Sequence, residues 1–389
     1  ISILGVNGFP HGTARIEKLK LIGKSLAIEN LKVDFVCHSW GKFSSKDEIP
    51  VKGKIEGINY IYTCGRTTRP EKFLQRRWVN LKGKIMEIVY LFNNRCDVAI
   101  ISLRSGMFFP LFLYWILAQF LRFKIYYPHH ENEDVELNKK ILYHRINLFL
   151  FKKFAWSMVD GAFPISDYLD REIKKRNPAL PVFKIPALVD FDFFNDLKKS
   201  IDKKTENYFM YCGAPSYFKI IDFIITAFEK VKNDNYKLFL VSSGNKEKER
   251  ILLKRIAESP KKEQILTFGF LEYKELAAKY LNASALLIPL RNTVQDMARF
   301  PHKIGEYTAS GNPIITSETG DVASYFQHKR NALLARNFDV DEFAELMNYV
   351  IKNRAEAREI GEKGYLTGMD LFNYKTYGPK LLNFFKREN

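Results

Sequence analysis

Short apolar runs alternate with helix-length segments along the chain. Residues 1–6, 33–37, 58–62, 97–103, 124–127, 161–165 and 182–185 read as strands, with helices over 13–30 and 107–121. After residue 206 the alternation restarts, with strands at 208–212, 237–241, 265–268, 285–289 and 313–316 and an amphipathic helix at 220–231. Strands interleaved with helices pair in parallel through crossover connections. Between the two series the pattern breaks, and 196–206 is polar and lysine-rich, which suits a linker over 191–206. The pattern predicts two doubly wound, Rossmann-like α/β domains, 1–190 and 207–371, with a C-terminal helix at 372–389 packing back on the first. Open α/β sheets bind ligands outside the carboxyl ends of their strands. Two such domains facing each other across a cleft suit an enzyme with one substrate per domain.

Composition narrows the class. A chain of 389 residues suits two domains, and 46% hydrophobic with 27% charged residues is a globular balance that argues against disorder. The formal net charge of +17 attracts anions: nucleic acid, anionic lipid or phosphorylated metabolites. The alternative is that many lysines are only solvated surface. The charge is spread over both halves and no zinc finger, RRM signature or basic zipper is present, so nucleic acid is not expected as a partner. Cys37, Cys64, Cys96 and Cys212 form no CxxC pair and no zinc spacing. A reducing, cytoplasmic setting is the simpler expectation. The chain opens inside a strand-like run, without the basic start or cleavage site of a signal peptide. The apolar stretch 107–121 is shorter than the roughly 20 residues that a spanning helix needs, and Arg122 and Lys124 close it. Burial against a sheet is expected; a shallow interfacial contact stays open.

Chemistry concentrates in Arg299-Phe300-Pro301-His302-Lys303-Ile304-Gly305-Glu306-Tyr307-Thr308-Ala309-Ser310-Gly311-Asn312-Pro313-Ile314-Ile315. Pro301 can open a helix, and Gly311 with Asn312-Pro313 ends it. Lys303 and Glu306 are three apart and share a face. A carboxylate can hold a ribose diol, and a lysine beside a helix N-terminus suits a diphosphate. A plain surface Lys–Glu pair is the competing reading.

This stretch resembles the donor-binding helix of GT-B glycosyltransferases of the GT4-like group (glycosyltransferase group 1), with their Pro-x-Lys-x-x-Glu-Tyr-x-Ala-x-Gly-x-Pro-Val-Ile pattern. Tyr211-Cys212-Gly213-Ala214-Pro215-Ser216-Tyr217-Phe218-Lys219 resembles the strand, glycine and loop lysine that open the family's second domain, although Ile220 stands where a glycine is usual. Ser242-Ser243-Gly244, Phe268-Gly269 and Leu286-Leu287-Ile288-Pro289-Leu290 fall at the expected strand ends. Gly8-Phe9-Pro10-His11-Gly12-Thr13-Ala14 resembles the first glycine loop. The resemblance implies a GT-B fold and donor binding by Gly12, Gly213, Lys219, Gly244, Arg299, Lys303, Glu306 and Gly320. Lys219 would meet the diphosphate and Glu306 the ribose. Ala298 stands where many members have a sugar-binding Glu, with Asp296 nearby at another spacing. The resemblance further implies anomer-retaining transfer without a metal or cofactor, the nucleotide-sugar being a substrate. A nucleotide-sugar epimerase of the same fold is the alternative.

On the acceptor side, Tyr126-Tyr127-Pro128-His129-His130-Glu131-Asn132-Glu133-Asp134 follows a strand. Histidine titrates near neutral pH and moves protons, so His129, His130 and Glu131 join Lys219 as candidate catalytic residues. Between Arg66 and Trp78, cations alternate with aromatic and apolar residues. Arg69, Arg76, Arg77 and Trp78 could meet an anionic membrane or a lipid pyrophosphate acceptor, or form a solvated loop. The expected partners are therefore a nucleotide-sugar donor, a glycan or polyprenyl-linked acceptor in surface polysaccharide synthesis, and a membrane surface on the cytoplasmic side.

Overall fold

The computed structural model describes residues 1–10, 12, 14–41, 49–136, 141–202 and 207–387. His11 and Thr13 of the first glycine loop, residues 203–206 of the expected linker and residues 388–389 of the C-terminal helix lie outside them. The chain divides into two compact units, Ile1–Leu188 with Tyr374–Asn389, and Val189–Asn373.

The N-terminal unit is built on seven strands: β1 Ser2–Asn7, β2 Asp34–Ser39, β3 Lys52–Ile55, β4 Ile58–Tyr62, β5 Val98–Ile101, β6 Lys124–His129 and β7 Gly161–Pro164. Their order is β3-β4-β2-β1-β5-β6-β7, and only the β3–β4 pair is antiparallel. The chain order reverses between β1 and β5. The sequence pattern does not show β3. It forms a hairpin with β4 through Glu56 and Gly57, both at positive φ as a tight hairpin turn requires. Its two lysines suit an exposed sheet edge. Residues 182–185, expected as a strand, run beside β7, with the Phe183 and Ile185 N–H groups donating to the Ala162 and Pro164 carbonyls at 3.0 Å. Pro164 has no N–H to return, so the pairing is reduced to an isolated bridge, Val182 to Ala162.

The helices Ala14–Ile28 and Tyr377–Arg387 cover one face of this sheet, with Ile16, Leu19, Leu381 and Phe385 in the core. In that layer Lys18 is buried, and its Nζ donates to the Ile185 carbonyl at 2.5 Å. Burial lowers its pKa from 10.5 to about 7. Between those values the unfolded chain holds a proton that the folded chain has lost, so stability rises with pH. The slope is on the order of 1 kcal/mol per pH unit. Thermal unfolding between pH 7 and 9 should show a rising Tm, and Lys18→Met should flatten it. An equal slope in the variant would count against this account.

The C-terminal unit has six strands: β8 Tyr208–Cys212, β9 Lys237–Val241, β10 Ile265–Phe268, β11 Ala285–Ile288, β12 Ile314–Ser317 and β13 Leu333–Ala335. All pairs are parallel, in the order β10-β9-β8-β11-β12-β13. The chain runs outward from β8 to β10, then crosses back to the far side of β8. The switch point therefore lies between β8 and β11. Residues 191–200 are a correction to the linker reading. They form the helix Phe191–Ser200, capped by Asp190, whose side chain accepts from the Phe193 N–H. Phe191, Phe194 and Leu197, spaced by three, are buried. Lys198 and Lys199, two of the lysines that gave the stretch its linker composition, are exposed.

Candidate functional site

A parallel sheet exposes its strand-end loops at the switch point, where ligands gather in open α/β folds. After β8, the Gly213 N–H donates to the Val241 carbonyl at 3.0 Å. A Cβ at Gly213 would lie 2.3 Å from Tyr211 Oη, so a side chain there would have to displace that ring. The helix Phe218–Glu229 follows, burying Ile220, Ile221 and Ile224 and leaving Lys219 exposed in its first turn. After β9, Gly244 packs on this turn, its Cβ position 3.3 Å from Pro215 Cδ. Its N–H already donates to Glu249 Oε1 at 2.8 Å. Gly244 therefore shapes the turn, and its own N–H is engaged.

On the other side of the switch point, Asp296 is 2% exposed and gripped by two arginines. Arg291 Nε donates to it at 2.8 Å and Arg299 Nη2 at 2.9 Å. Burial pushes the Asp296 carboxyl up, but the Arg291 hydrogen bonds and both guanidinium charges outweigh it and hold the carboxyl below its usual value. Arg299 also donates to Tyr217 Oη at 2.7 Å and stacks on that ring. It thus ties the loop after β11 to the loop after β8. Asp296 is fully used by this network, and Ala298 is buried. Neither offers a carboxylate to a sugar. The network was not readable from sequence, since Tyr217 and Arg299 are remote and carry no shared motif.

The helix His302–Ser310 completes this side, with Pro301 as its N-cap and Gly311 at φ 75° ending it. Ile304, Tyr307 and Thr308 are buried; Lys303 and Glu306 are half-buried. Tyr307 Oη accepts from the Cys212 N–H at 3.4 Å, anchoring the helix at the end of β8. Burial pushes the Cys212 thiol up, the Lys303 ammonium opposes this, and the Glu306 carboxylate adds to it. Both charges therefore act at that strand end. Gly320, at φ 57°, approaches the Met297 backbone to 3.4 Å at its Cβ position. Among the described residues, neither Lys219 nor Lys303 is engaged in a hydrogen bond or ion pair. The arginines are committed; these two lysines are not.

Gly12 belongs to the N-terminal unit, ahead of Ala14–Ile28, and a Cβ there would lie 2.7 Å from Ile16 Cβ. At the end of β6, His129 is 1% exposed. Its Nε2 lies 3.7 Å from Glu133 Oε2, and Trp156 packs edge-on at 5.1 Å. Glu133 in turn accepts from Arg176 at 2.5 Å. Burial lowers the His129 pKa to about 4, with Glu133 opposing and Arg176 reinforcing. A neutral imidazole so enclosed holds the turn and does not meet solvent, a correction to its reading as a proton carrier. His130 and Glu131, half-buried, follow it in the chain. Arg69 is exposed, and Arg76, Arg77 and Trp78 lie on the helix Phe73–Asn93, so the second half of the expected loop is helical. The apolar stretch forms the helix Phe108–Leu121, and among the described residues no helix is long and apolar enough to cross a membrane. Nor, among the described residues, do three or more His, Cys, Asp or Glu side chains gather as a metal ion would require.

Two parallel-sheet units of this kind define the GT-B fold, and solved structures agree with it over the whole chain. Sucrose-phosphate synthase from Thermosynechococcus elongatus is similar with a TM-score of 0.75 and 16% identity, over 99% of this chain and 98% of that one. HepE of Anabaena, solved with UDP and glucose, gives 0.71 and 13%, over 99% of each chain. WaaG, a glycosyltransferase involved in lipopolysaccharide biosynthesis, gives 0.64 and 12%, over 98% of each. No curated protein matches the chain in sequence. Residues 192–367 match the model of the glycosyl transferases group 1 family. The chain therefore has the GT-B fold, and its C-terminal unit carries a glycosyl transferases group 1 domain.

Proposed function

We propose that this enzyme moves a glycosyl residue from a nucleoside diphosphate sugar to a hydroxyl of a glycan or polyprenyl-linked glycan, retaining the anomeric configuration, without a metal ion. The observation that carries this is the pair of uncommitted lysines, Lys219 and Lys303, each in the first turn of a helix beside the switch point, with Glu306 on the same face as Lys303. Two ammonium groups and two helix N-termini suit a diphosphate. The carboxylate suits the ribose diol. The UDP bound in HepE supports a nucleotide donor, and the lipopolysaccharide role of WaaG supports a surface-polysaccharide setting. This reading places the enzyme on the cytoplasmic face of a membrane.

In this reaction the bond between the anomeric carbon and the phosphate oxygen breaks, and its electron pair leaves with the nucleoside diphosphate. Lys219 and Lys303 stabilise that growing charge, with Arg299 adding to the field. The acceptor oxygen bonds to the anomeric carbon and gives up its proton, which the leaving phosphate or the His130–Glu131 turn accepts. His129, buried beneath, positions that turn. Gly213, Gly244 and Gly320 shape the donor loops, and Gly12 shapes the loop after β1. The match to the glycosyl transferases group 1 model does not favour the epimerase reading.

A thermal-shift panel of UDP-, GDP-, ADP- and TDP-sugars tests the donor. One nucleotide class should raise Tm by about 5–10 °C at a hundredfold excess over Kd. No shift across the panel would remove the donor assignment. With that donor, NMR of the product should show a retained anomer, and an inverted linkage would overturn the retaining step. His130→Ala or Glu131→Gln should lower kcat by roughly 10²- to 10⁴-fold while leaving the nucleotide-sugar shift intact. Full activity in both would return the turn to a structural role.

A further inference from the structure

The second face of the N-terminal sheet is covered by three helices lying side by side: Phe73–Asn93, Phe108–Leu121 and Leu142–Phe154. Lys84 Nζ donates to Tyr114 Oη at 3.0 Å, and Tyr114 donates to Glu87 at 3.0 Å, joining the first two. The Phe109 N–H donates to Asn147 Oδ1 at 3.0 Å, and Phe109 stacks on Tyr143, joining the second to the third.

The outer side of this layer is apolar. On the first helix Leu74, Trp78, Leu81, Ile85 and Phe92 repeat at helical spacing, and Leu74 and Trp78 are 79% and 67% exposed. On the other two, Phe120 is 76% and Phe149 65% exposed. Exposed apolar side chains on three neighbouring helices mark an interaction site.

The charges on the same helices select the partner. They are Arg76, Arg77, Lys82, Lys84, Arg145, Lys152 and Lys153, against one acid, Glu87. Lys84 pairs with Glu87 and Lys152 with Asp134, which leaves Arg76, Arg77, Lys82, Arg145 and Lys153 as the uncompensated cations among the described residues. Glu87 is buried and paired with Lys84, so its charge is turned inward. The middle helix carries no charged residue and lies between two basic ones. A second copy docked on this face through a twofold axis would bring like charges together. An aqueous anion would satisfy the cations and leave the aromatic and aliphatic stripe wet. A bilayer with anionic headgroups satisfies both, since apolar side chains enter the acyl boundary while lysines and arginines reach the phosphates.

We propose that this three-helix face lies in the plane of an anionic lipid bilayer, without crossing it. The inference deepens the membrane-side placement proposed above and rests on that part alone. The sugar-transfer reading stands or falls separately, by nucleotide-sugar stabilisation.

Flotation of the full chain with phosphatidylglycerol-containing vesicles at 100 mM salt tests it, against pure phosphatidylcholine vesicles. Partitioning should be at least tenfold stronger on the anionic vesicles and fall with added salt. Trp78→Gln with Phe120→Gln should weaken it at least tenfold, as should Arg76→Glu with Arg77→Glu. These side chains are mainly at the surface, so both variants should keep the parent Tm and the nucleotide-sugar shift. Absence of flotation would overturn the proposal. So would binding that ignores headgroup charge and all four substitutions, or a concentration-dependent dimer that Trp78→Gln dissolves while vesicles stay unbound.

Discussion

Lys303→Ala is expected to lower kcat/KM for sugar transfer by roughly 10²- to 10³-fold, with Tm changed by no more than a degree or two. The expectation follows from what Lys303 does not do in the folded chain. Arg291 and Arg299 spend their guanidinium groups on Asp296, which would otherwise be a buried charge without compensation. Lys303 is half-buried in the first turn of His302–Ser310 and, among the described residues, supports no other group. Removing it costs the fold little. In the donor site proposed above, its charge and the helix dipole would act together on the leaving diphosphate. That charge grows as the glycosidic bond breaks, so the loss should appear in kcat more than in donor KM. Arg299→Ala should behave differently, losing stability as well as activity, because it unties Tyr217 from Asp296. The comparison is made with the donor that gives the largest thermal shift. A kcat/KM for Lys303→Ala within threefold of the parent would take Lys303 out of the donor site.

The parts legible in sequence share a physical cause. Parallel strands buried on both faces are continuous apolar runs, and 208–212 and 237–241 could be bounded from composition alone. Elements whose pattern is mixed with surface lysine were not legible. Phe191, Phe194 and Leu197 carry the helix that the linker composition concealed, and β3 has lysine at two of four positions. In the candidate site, Lys303 and Glu306 were readable because helical spacing alone puts them on one face. The Asp296 network was not, because a carboxylate's availability depends on which cations fold onto it. His129 shows the same limit. Its residue type suggested proton transfer, but Trp156 and the Glu133–Arg176 pair, gathered from other elements, enclose it, and that burial keeps it neutral against the pull of Glu133.

Gly361→Ala is expected to destabilise the C-terminal unit by about 1–3 kcal/mol, although alanine is the better helix former by about 1 kcal/mol. Gly361, Gly364 and Gly368 lie on one face of the helix Arg354–Leu371, spaced by three and four. A Cβ on Gly361 would stand 2.5 Å from the Gly311 carbonyl oxygen and 2.7 Å from the Pro313 nitrogen. Those are backbone atoms, at the point where His302–Ser310 ends and the chain turns into β12. They cannot rotate away, so the helix or the donor segment must move. A Cβ on Gly368 would likewise lie 2.5 Å from Thr308 Cβ, inside the helix His302–Ser310. The glycine face thus fixes how closely the helix bearing Lys303 and Glu306 is backed. Gly269→Ala is the control, since nothing lies within 4 Å of its Cβ position. The denaturant midpoint should fall for Gly361→Ala and hold for Gly269→Ala. The nucleotide-sugar shift should shrink with the first only, because small displacements of positioning groups cost binding and rate steeply. If Gly361→Ala instead raised the midpoint, as helix propensity alone would have it, the close backing of the donor helix would not be what this glycine provides.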